Sequence, residues 1–287
     1  MKPFTIAQIS DLHFTRLTYN PLLLCSKRVL GLLNWFFCRK KHFSQENINS
    51  LPPLLKTLNV DHILLGGDFT STALASEFED AKKWIASLPA PWIAIPGNHD
   101  YYTYGASWTN RYFRTIHNPI PAHLGNLEKD RVEAKNIHEG WWVVSLHTAR
   151  AANLYSSRGL FSALQEAKLL ALLERIPKED SILLFNHYPF FQNDAHRRRL
   201  ARGEALQKII ERDARIKLYL HGHTHRHIIA DLQPSKLPVI LDSGSAADAK
   251  RGTWNLLTIS NEHLLVEVYR WHGSWLVERK ETIAWIR

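Results

Sequence analysis

Short apolar runs alternate with longer stretches of helical period along this chain of 287 residues. Runs at 4–9, 62–65, 92–95, 141–146, 181–185 and 217–220 are short and mostly apolar, and read as buried strands. Between them, residues 72–88 and 162–175 carry helical periodicity. In the second of these, Ser162 is the expected N-cap, and Leu164, Ala167, Leu170/Ala171 and Leu173/Glu174 mark successive turns. The tail changes character: 238–242, 253–259, 264–269 and 274–278 read as consecutive strands separated by polar turns. Strand–helix alternation followed by a β-rich end predicts layered sheets with helices outside, an α/β (α+β layered) class. With no repeat, low-complexity stretch or Pro/Gly/Ser linker, a single domain over 1–287 is expected.

Polar groups follow the predicted strands. They are Ser10-Asp11-Leu12-His13, Gly66-Gly67-Asp68, Gly97-Asn98-His99-Asp100, Asn186-His187 and His221-Gly222-His223-Thr224-His225. Ligands of open strand–helix sheets bind beyond the carboxyl ends of strands, so these groups are expected to converge. Their chemistry suits a pair of metal ions. Asp11 and His13 would offer an oxygen and a nitrogen from one side of an extended segment, and His223 and His225 repeat that spacing. Asp68 has two oxygens with which to bridge two cations; Asn98 offers a neutral oxygen and His187 another nitrogen. Glycines at 66, 67, 97 and 222 permit close backbone approach. Mixed N/O ligation suits Mn, Fe or Zn better than Ca or Mg. Any one of these residues alone is more simply a turn former or a hydrogen-bonded core group; five groups in this order are not. His221 and His227 read as structural residues flanking the site. His42, His62, His117, His123, His138, His196, His263 and His272 read as surface or packing residues, and His147 is left unassigned.

The set resembles the calcineurin-like metallophosphoesterases, whose pattern is D-x-H, G-D, G-N-H-D/E, a lone H and G-H-x-H. Asp11-Leu12-His13, Gly67-Asp68, Gly97-Asn98-His99-Asp100, His187 and Gly222-His223-Thr224-His225 supply every part in order. The resemblance implies a β-sandwich flanked by helices, with a binuclear centre at the strands' carboxyl ends. Asp11, His13 and His225 would hold one metal and Asn98, His187 and His223 the other, with Asp68 bridging. It also implies phosphoester hydrolysis by a hydroxide the two cations share. His99 would be an active-site acid or charge stabiliser, with Asp100 orienting its ring.

Composition bears on the substrate. Hydrophobic residues at 45% and charged residues at 22% are ordinary for a globular protein. Lys and Arg number 36 against 27 Asp and Glu, a net charge of +9 that favours an anionic partner: nucleic acid, an acidic membrane or a phosphorylated substrate. Two cysteines, Cys25 and Cys38, exclude a disulfide framework. A strand beginning almost at Met1 leaves no room for a signal peptide, and no apolar stretch approaches the ~20 residues of a spanning helix. A cytoplasmic protein is expected.

The insertion at about 20–43 adds a preference. On a helix, Leu22, Cys25, Val29, Leu32/Leu33 and Phe36 share one face, with Lys27, Gly31, Asn34 and Lys41 opposite and Arg39-Lys40-Lys41 closing it. That describes a helix lying in an anionic membrane interface; the alternative is a helix packed on the domain. The first reading implies peripheral attachment to the inner membrane and a lipid-linked nucleotide diphosphate substrate. Within the family the chain looks most like the chlamydial-type UDP-2,3-diacylglucosamine pyrophosphatases of lipid A synthesis. That likeness implies release of UMP and 2,3-diacylglucosamine 1-phosphate, with Mn. His196-Arg197-Arg198-Arg199 with Arg202 would bind a diphosphate or headgroups, or form a solvated face. Tyr101-Tyr102-Thr103-Tyr104 and Trp108 would line the pocket, or pack a helix start. The rivals are a soluble phosphodiesterase of the same superfamily acting on cyclic nucleotides or another diester, a non-catalytic scaffold, and a nucleic-acid binder or nuclease supported only by the charge of +9. No nucleic-acid module and no protein partner is expected.

Overall fold

The computed structural model describes residues 2–18, 43–116, 118–151, 153, 156–191 and 194–286. Apart from Phe43, the insertion at 20–43 lies outside the described residues, as do His42 and His117. The first sheet runs in the order β15-β14-β13-β1-β2-β3, with β1 Phe4–Ile9, β2 His62–Leu65, β3 Trp92–Ala94, β13 Thr253–Ile259, β14 His263–Trp271 and β15 Trp275–Ala284. The second runs β11-β12-β10-β8-β6-β5-β4, with β4 Leu124–Asn126, β5 Val132–His138, β6 Trp141–Leu146, β8 Ser181–Phe185, β10 Ile216–His221, β11 His227–Asp231 and β12 Val239–Ser243. A small parallel pair joins β7 Gly159–Leu160 to β9 Leu200–Ala201. The helices are α1 Gln45–Asn49, α2 Leu51–Leu58, α3 Ala75–Ile85, α4 Tyr104–Trp108, α5 Arg111–Thr115, α6 Ala163–Leu173 and α7 Gly203–Arg212.

The strands read as buried because both faces are covered. One face of each enters a core between the sheets: Phe4 and Ile6, Leu64, Ile93, Val143, Leu183 and Phe185, Leu218 and Leu220, Val239 and Leu241. The alternate residues pack under helices, as Ala7, Ile9, Ile63 and Leu65 do with Leu55, Phe78 and Trp84. Alternation with both faces apolar leaves an unbroken hydrophobic run. Gln8 falls on the inner face, where its amide donates to the carbonyls of His221 (3.1 Å) and Leu241 (3.0 Å) and accepts from Asn255 (3.0 Å). It ties the two sheets together just behind the loops that carry the polar groups.

The helix over 162–175 is real, and Ser162 does cap it, accepting from the Gln165 N–H at 3.1 Å. Its inward face is not the expected one. Gln165, Leu169, Leu172 and Leu173 are buried, whereas Leu164 is 68% and Leu170 47% exposed. A leucine-rich helix fits two apolar stripes; the buried Gln165, which donates to the Arg131 carbonyl at 2.9 Å, selects one. Leu169→Ala should therefore cost about 2–5 kcal/mol in urea unfolding while Leu164→Ala stays within ~0.5. Equal costs would restore the other phase.

Candidate metal centre

The parallel strands β1, β2 and β3 of one sheet and β8 and β10 of the other deliver their carboxyl-terminal loops to one place. Backbone bonds lock the loops together: Asp11 N–H to the Gly67 carbonyl (3.0 Å), His13 N–H to that of Asp68 (2.9 Å), Gly222 N–H to that of His187 (3.1 Å). Two close approaches demand glycine. A Cβ at Gly97 would lie 2.1 Å from Asp68 Oδ1, and one at Gly222 2.6 Å from Asp11 Oδ2.

The D-x-H and H-x-H pairs are not on extended backbone. Asp11 and His13 have φ of 58° and 48°, Asp68 55°, His223 69° and His225 54°, all in the left-handed region. Each such non-glycine residue costs roughly 1 kcal/mol or more, a strain found where side chains are aimed for function. Left-handed residues flanking Leu12, which is buried in the core, turn both Asp11 and His13 to the same side.

Two groups of donors result. Asp11, His13, Asp68 and His225 each place one ligand atom within 4.8 Å of the others. His13 Nε2 is 3.1 Å from His225 Nε2, and Asp11 Oδ1 is 3.0 Å from His225 Nε2. Alongside, His187 Nε2 lies 3.5 Å from Asp68 Oδ2 and 3.2 Å from Asn98 Oδ1, and His223 Nδ1 lies 2.7 Å from Asn98 Oδ1. Asp68 belongs to both groups. All seven expected ligands are therefore brought together. Apart from His225, which opens towards solvent, they are buried.

These residues fit metal ions better than they fit one another. His223 Nε2 faces the Arg198 carbonyl at 2.9 Å while its Nδ1 faces Asn98 Oδ1. Burial, with His187 nearby, holds His223 down to about 3, so the ring is neutral and has a single N–H for two oxygens. Its other nitrogen meets oxygen with a lone pair. His187 likewise has a backbone carbonyl on its far nitrogen, that of Gly66, 2.7 Å from Nδ1. Donors about 3 Å apart with carbonyl partners on the far nitrogens are what adjacent ligands of a cation with bonds of about 2.1 Å require. Burial opposes charge on His187, yet the Asp68 carboxylate outweighs it and pushes the ring up to about 9. Burial likewise acts to raise Asp11, but His225 reverses it and holds the carboxyl well below its usual range.

His99 is half-buried at the edge. Its backbone N–H donates to Asp68 Oδ1 (2.7 Å), and its ring stands 4.9 Å from that of His13 and stacks on Tyr102 at 5.4 Å. The ring's Nδ1 lies 2.6 Å from the Ser71 carbonyl. That corrects the orienting role expected of Asp100. Its Oδ1 accepts from Thr70 N–H (3.0 Å) and its Oδ2 from Gly97 N–H (2.9 Å), so it braces the loops. Burial and the neighbouring Asp68 push Asp100 up to about 7. A backbone carbonyl such as that of Ser71 leaves no mark in a sequence.

Other residues sort differently. His221 is buried against Asp242 (3.3 Å), structural as expected. His147 is buried between Tyr101 (4.8 Å) and Phe113 (5.5 Å), a packing residue. Of the aromatic cluster, Tyr101 is buried beside His147, Tyr102 reaches the site, and Tyr104 and Trp108 are exposed.

A sandwich whose strand ends gather these Asp, Asn and His donors defines a metal-dependent phosphoesterase. The family model for Calcineurin-like phosphoesterase matches residues 4–227, and the chain belongs to that family. Among curated proteins it is similar to the 3′,5′-cyclic-nucleotide phosphodiesterase alr5338 of Nostoc sp. (strain PCC 7120 / SAG 25.82 / UTEX 2576). The two are 24% identical over 229 residues, 78% of this chain and 72% of the relative. Among solved structures it is similar to a dimetal phosphatase from Danio rerio, with TM-score 0.68, 14% identity and 99% of both chains covered. It is also similar to the purple acid phosphatase PPD1 from yellow lupin seeds, with TM-score 0.67, 13% identity, and 99% of this chain and 54% of that one covered. At such identities these structures share the fold. No helix among the described residues is long and apolar enough to cross a membrane.

Proposed function

We propose that residues 1–287 form one phosphoesterase domain that works with two divalent cations. Asp11, His13 and His225 would hold one, Asn98, His187 and His223 the other, with Asp68 between them. The observation that carries this reading is the pair of donor groups sharing Asp68, in which the neutral ring of His223 faces two oxygens with a single N–H to give. Bound there, the cations supply Lewis acidity and a water acidic enough to ionise near neutral pH, and mixed N/O ligation favours Mn, with Fe or Zn as alternatives. The chain's own part is positional. Left-handed loops fix the donors, and carbonyls fix the tautomers of His187 and His223. Ser71 holds His99 through Nδ1, so the proton that matters sits on Nε2. Protonated there, His99 donates to a phosphoryl or leaving-group oxygen.

The substrate we favour is UDP-2,3-diacylglucosamine, cleaved to UMP and 2,3-diacylglucosamine 1-phosphate at an anionic membrane surface. Two features support it: the apolar and basic residues at 20–43, and Phe43, whose ring lies 4.6 Å from His13 and 6.1 Å from His225. That contact ties the end of the insertion to the centre. The second reading is cyclic-nucleotide hydrolysis, favoured by the relative alr5338. One panel separates them: UDP-2,3-diacylglucosamine in anionic vesicles, a cyclic nucleotide and bis(4-nitrophenyl) phosphate, each with Mn and with chelator. We expect the lipid substrate to give the highest kcat/KM, with all turnover lost to chelator and regained with Mn. A faster cyclic nucleotide would transfer the assignment. Mn binding without turnover of any of the three would leave a scaffold.

A further inference from the structure

Three arginines line one cavity, and among the described residues none of them pairs with a carboxylate. The cavity, of about 500 Å³, is lined by Tyr104, Arg150, Ser156, Arg158, His196 and Arg197, and no carboxylate stands among the described residues of its wall. The basic run beside it is divided. Arg198 pairs with Asp194 (3.3 Å), Arg199 donates to the Asp194 carbonyl, and Arg202 pairs with Glu166. Arg150, Arg158 and Arg197 have no carboxylate partner among the described residues. Among the described residues Arg150 Nε reaches only the Arg158 carbonyl, at 3.3 Å, and the buried Arg158 Nε meets no hydrogen-bond partner. Like charges held together repel unless an anion joins them, and a buried guanidinium N–H left unsatisfied is costly.

The cavity wall is one or two residues removed from groups that touch the centre. Arg197 precedes Arg198, whose carbonyl faces His223 Nε2. Arg158 follows Ser157, whose carbonyl accepts from the Tyr188 hydroxyl at 2.8 Å, and the Tyr188 ring is 4.5 Å from that of His223. Tyr104 lies two residues beyond Tyr102, which stacks on His99. Chain connectivity therefore keeps the cavity wall within a few residues of groups packed on the centre.

We propose that Arg150, Arg158 and Arg197 bind a second phosphoryl group of the substrate, so that the site selects a diphosphate over a lone phosphodiester. The proposal rests on phosphoester hydrolysis at the neighbouring centre. Guanidinium forks match phosphate oxygens two at a time. A cyclic nucleotide carries one anionic phosphate and leaves these arginines unmatched.

The test is calorimetric titration of the Mn-loaded protein with UMP and with the methylene analogue of UDP, which resists hydrolysis. Wild type should bind the diphosphate at least about tenfold more tightly, one charged hydrogen-bonded pair being worth that much. In Arg158→Gln/Arg197→Gln the gap should fall below threefold with UMP affinity unchanged. The exposed Arg150→Gln, less exposed to misfolding, should narrow it alone. Turnover of bis(4-nitrophenyl) phosphate within threefold of wild type would show the variants are folded. No measurable binding of the diphosphate, equal affinities in wild type, or a gap that survives the substitutions overturns the proposal. So does loss of anionic-vesicle binding with the gap intact, which would assign the arginines to headgroups. If wild type cleaves no phosphodiester yet shows the gap and its loss, the hydrolase reading fails and the subsite stands.

Discussion

Asp68→Ala will strip the centre of both cations and lower turnover by about 10³- to 10⁴-fold, since metal charge stabilisation is worth several kcal/mol. The size of the effect follows from where Asp68 sits. Its Oδ2 lies 3.5 Å from His187 Nε2, and the same side chain completes the cluster of Asp11, His13 and His225. Its Oδ1 takes the His99 N–H at 2.7 Å, so the carboxylate also holds the third loop in place. Removing it leaves each donor group a ligand short and takes away one of the bonds that hold the loop carrying Asn98. The left-handed φ of 55° makes alanine a strained replacement, so Asp68→Asn, which tolerates that backbone, is the companion variant. It keeps shape and loses charge. Metal content by atomic emission and turnover of a simple diester should fall together in both. Two ions per chain in Asp68→Ala, with turnover near wild type, would remove Asp68 from its shared position.

Much of this centre was legible because its donors are chemically unusual at strand ends. Asp11, His13, Asp68, Asn98, His187, His223 and His225 announce themselves by type and order, and the structure brings all seven together. The local geometry was not legible. A spacing of two implies extended backbone only when φ is negative, and Asp11 and His13 reach one side through left-handed turns instead. The elements missed have physical reasons too. Strand β5 hides behind Glu133 and Lys135, which point inward and neutralise each other as a buried ion pair. Helix α2 opens Leu51-Pro52-Pro53, and prolines that read as breakers are harmless in a first turn, where their N–H groups would be unpaired. The phase of α6 turned on Gln165, a polar residue that a hydrophobic pattern discounts. The basic run at 196–199 was visible as charge, but only the pairing of Arg198 and Arg202 shows which arginine is left for an anion.

His99→Ala separates chemistry from metal binding. The ring of His99 belongs to neither donor group, and the bond it makes to Asp68 Oδ1 comes from the backbone N–H, which alanine keeps. Both cations should therefore stay while turnover falls about 10²- to 10⁴-fold, the usual worth of a positioned proton donor. Two roles remain for the ring, and they respond differently to the leaving group. A proton given to the departing oxygen matters most when that oxygen is a poor leaving group. An alkyl ester should then lose one to two orders of magnitude more activity than a 4-nitrophenyl ester. A hydrogen bond to a non-bridging phosphoryl oxygen is needed by both substrates, and both would lose activity equally. The Ser71 carbonyl 2.6 Å from Nδ1 favours a ring that carries its second proton on Nε2, which serves either role, so the comparison of esters decides between them. Metal loss in His99→Ala as complete as in Asp68→Ala would instead make the ring a ligand, and the division of labour drawn from this geometry would fail.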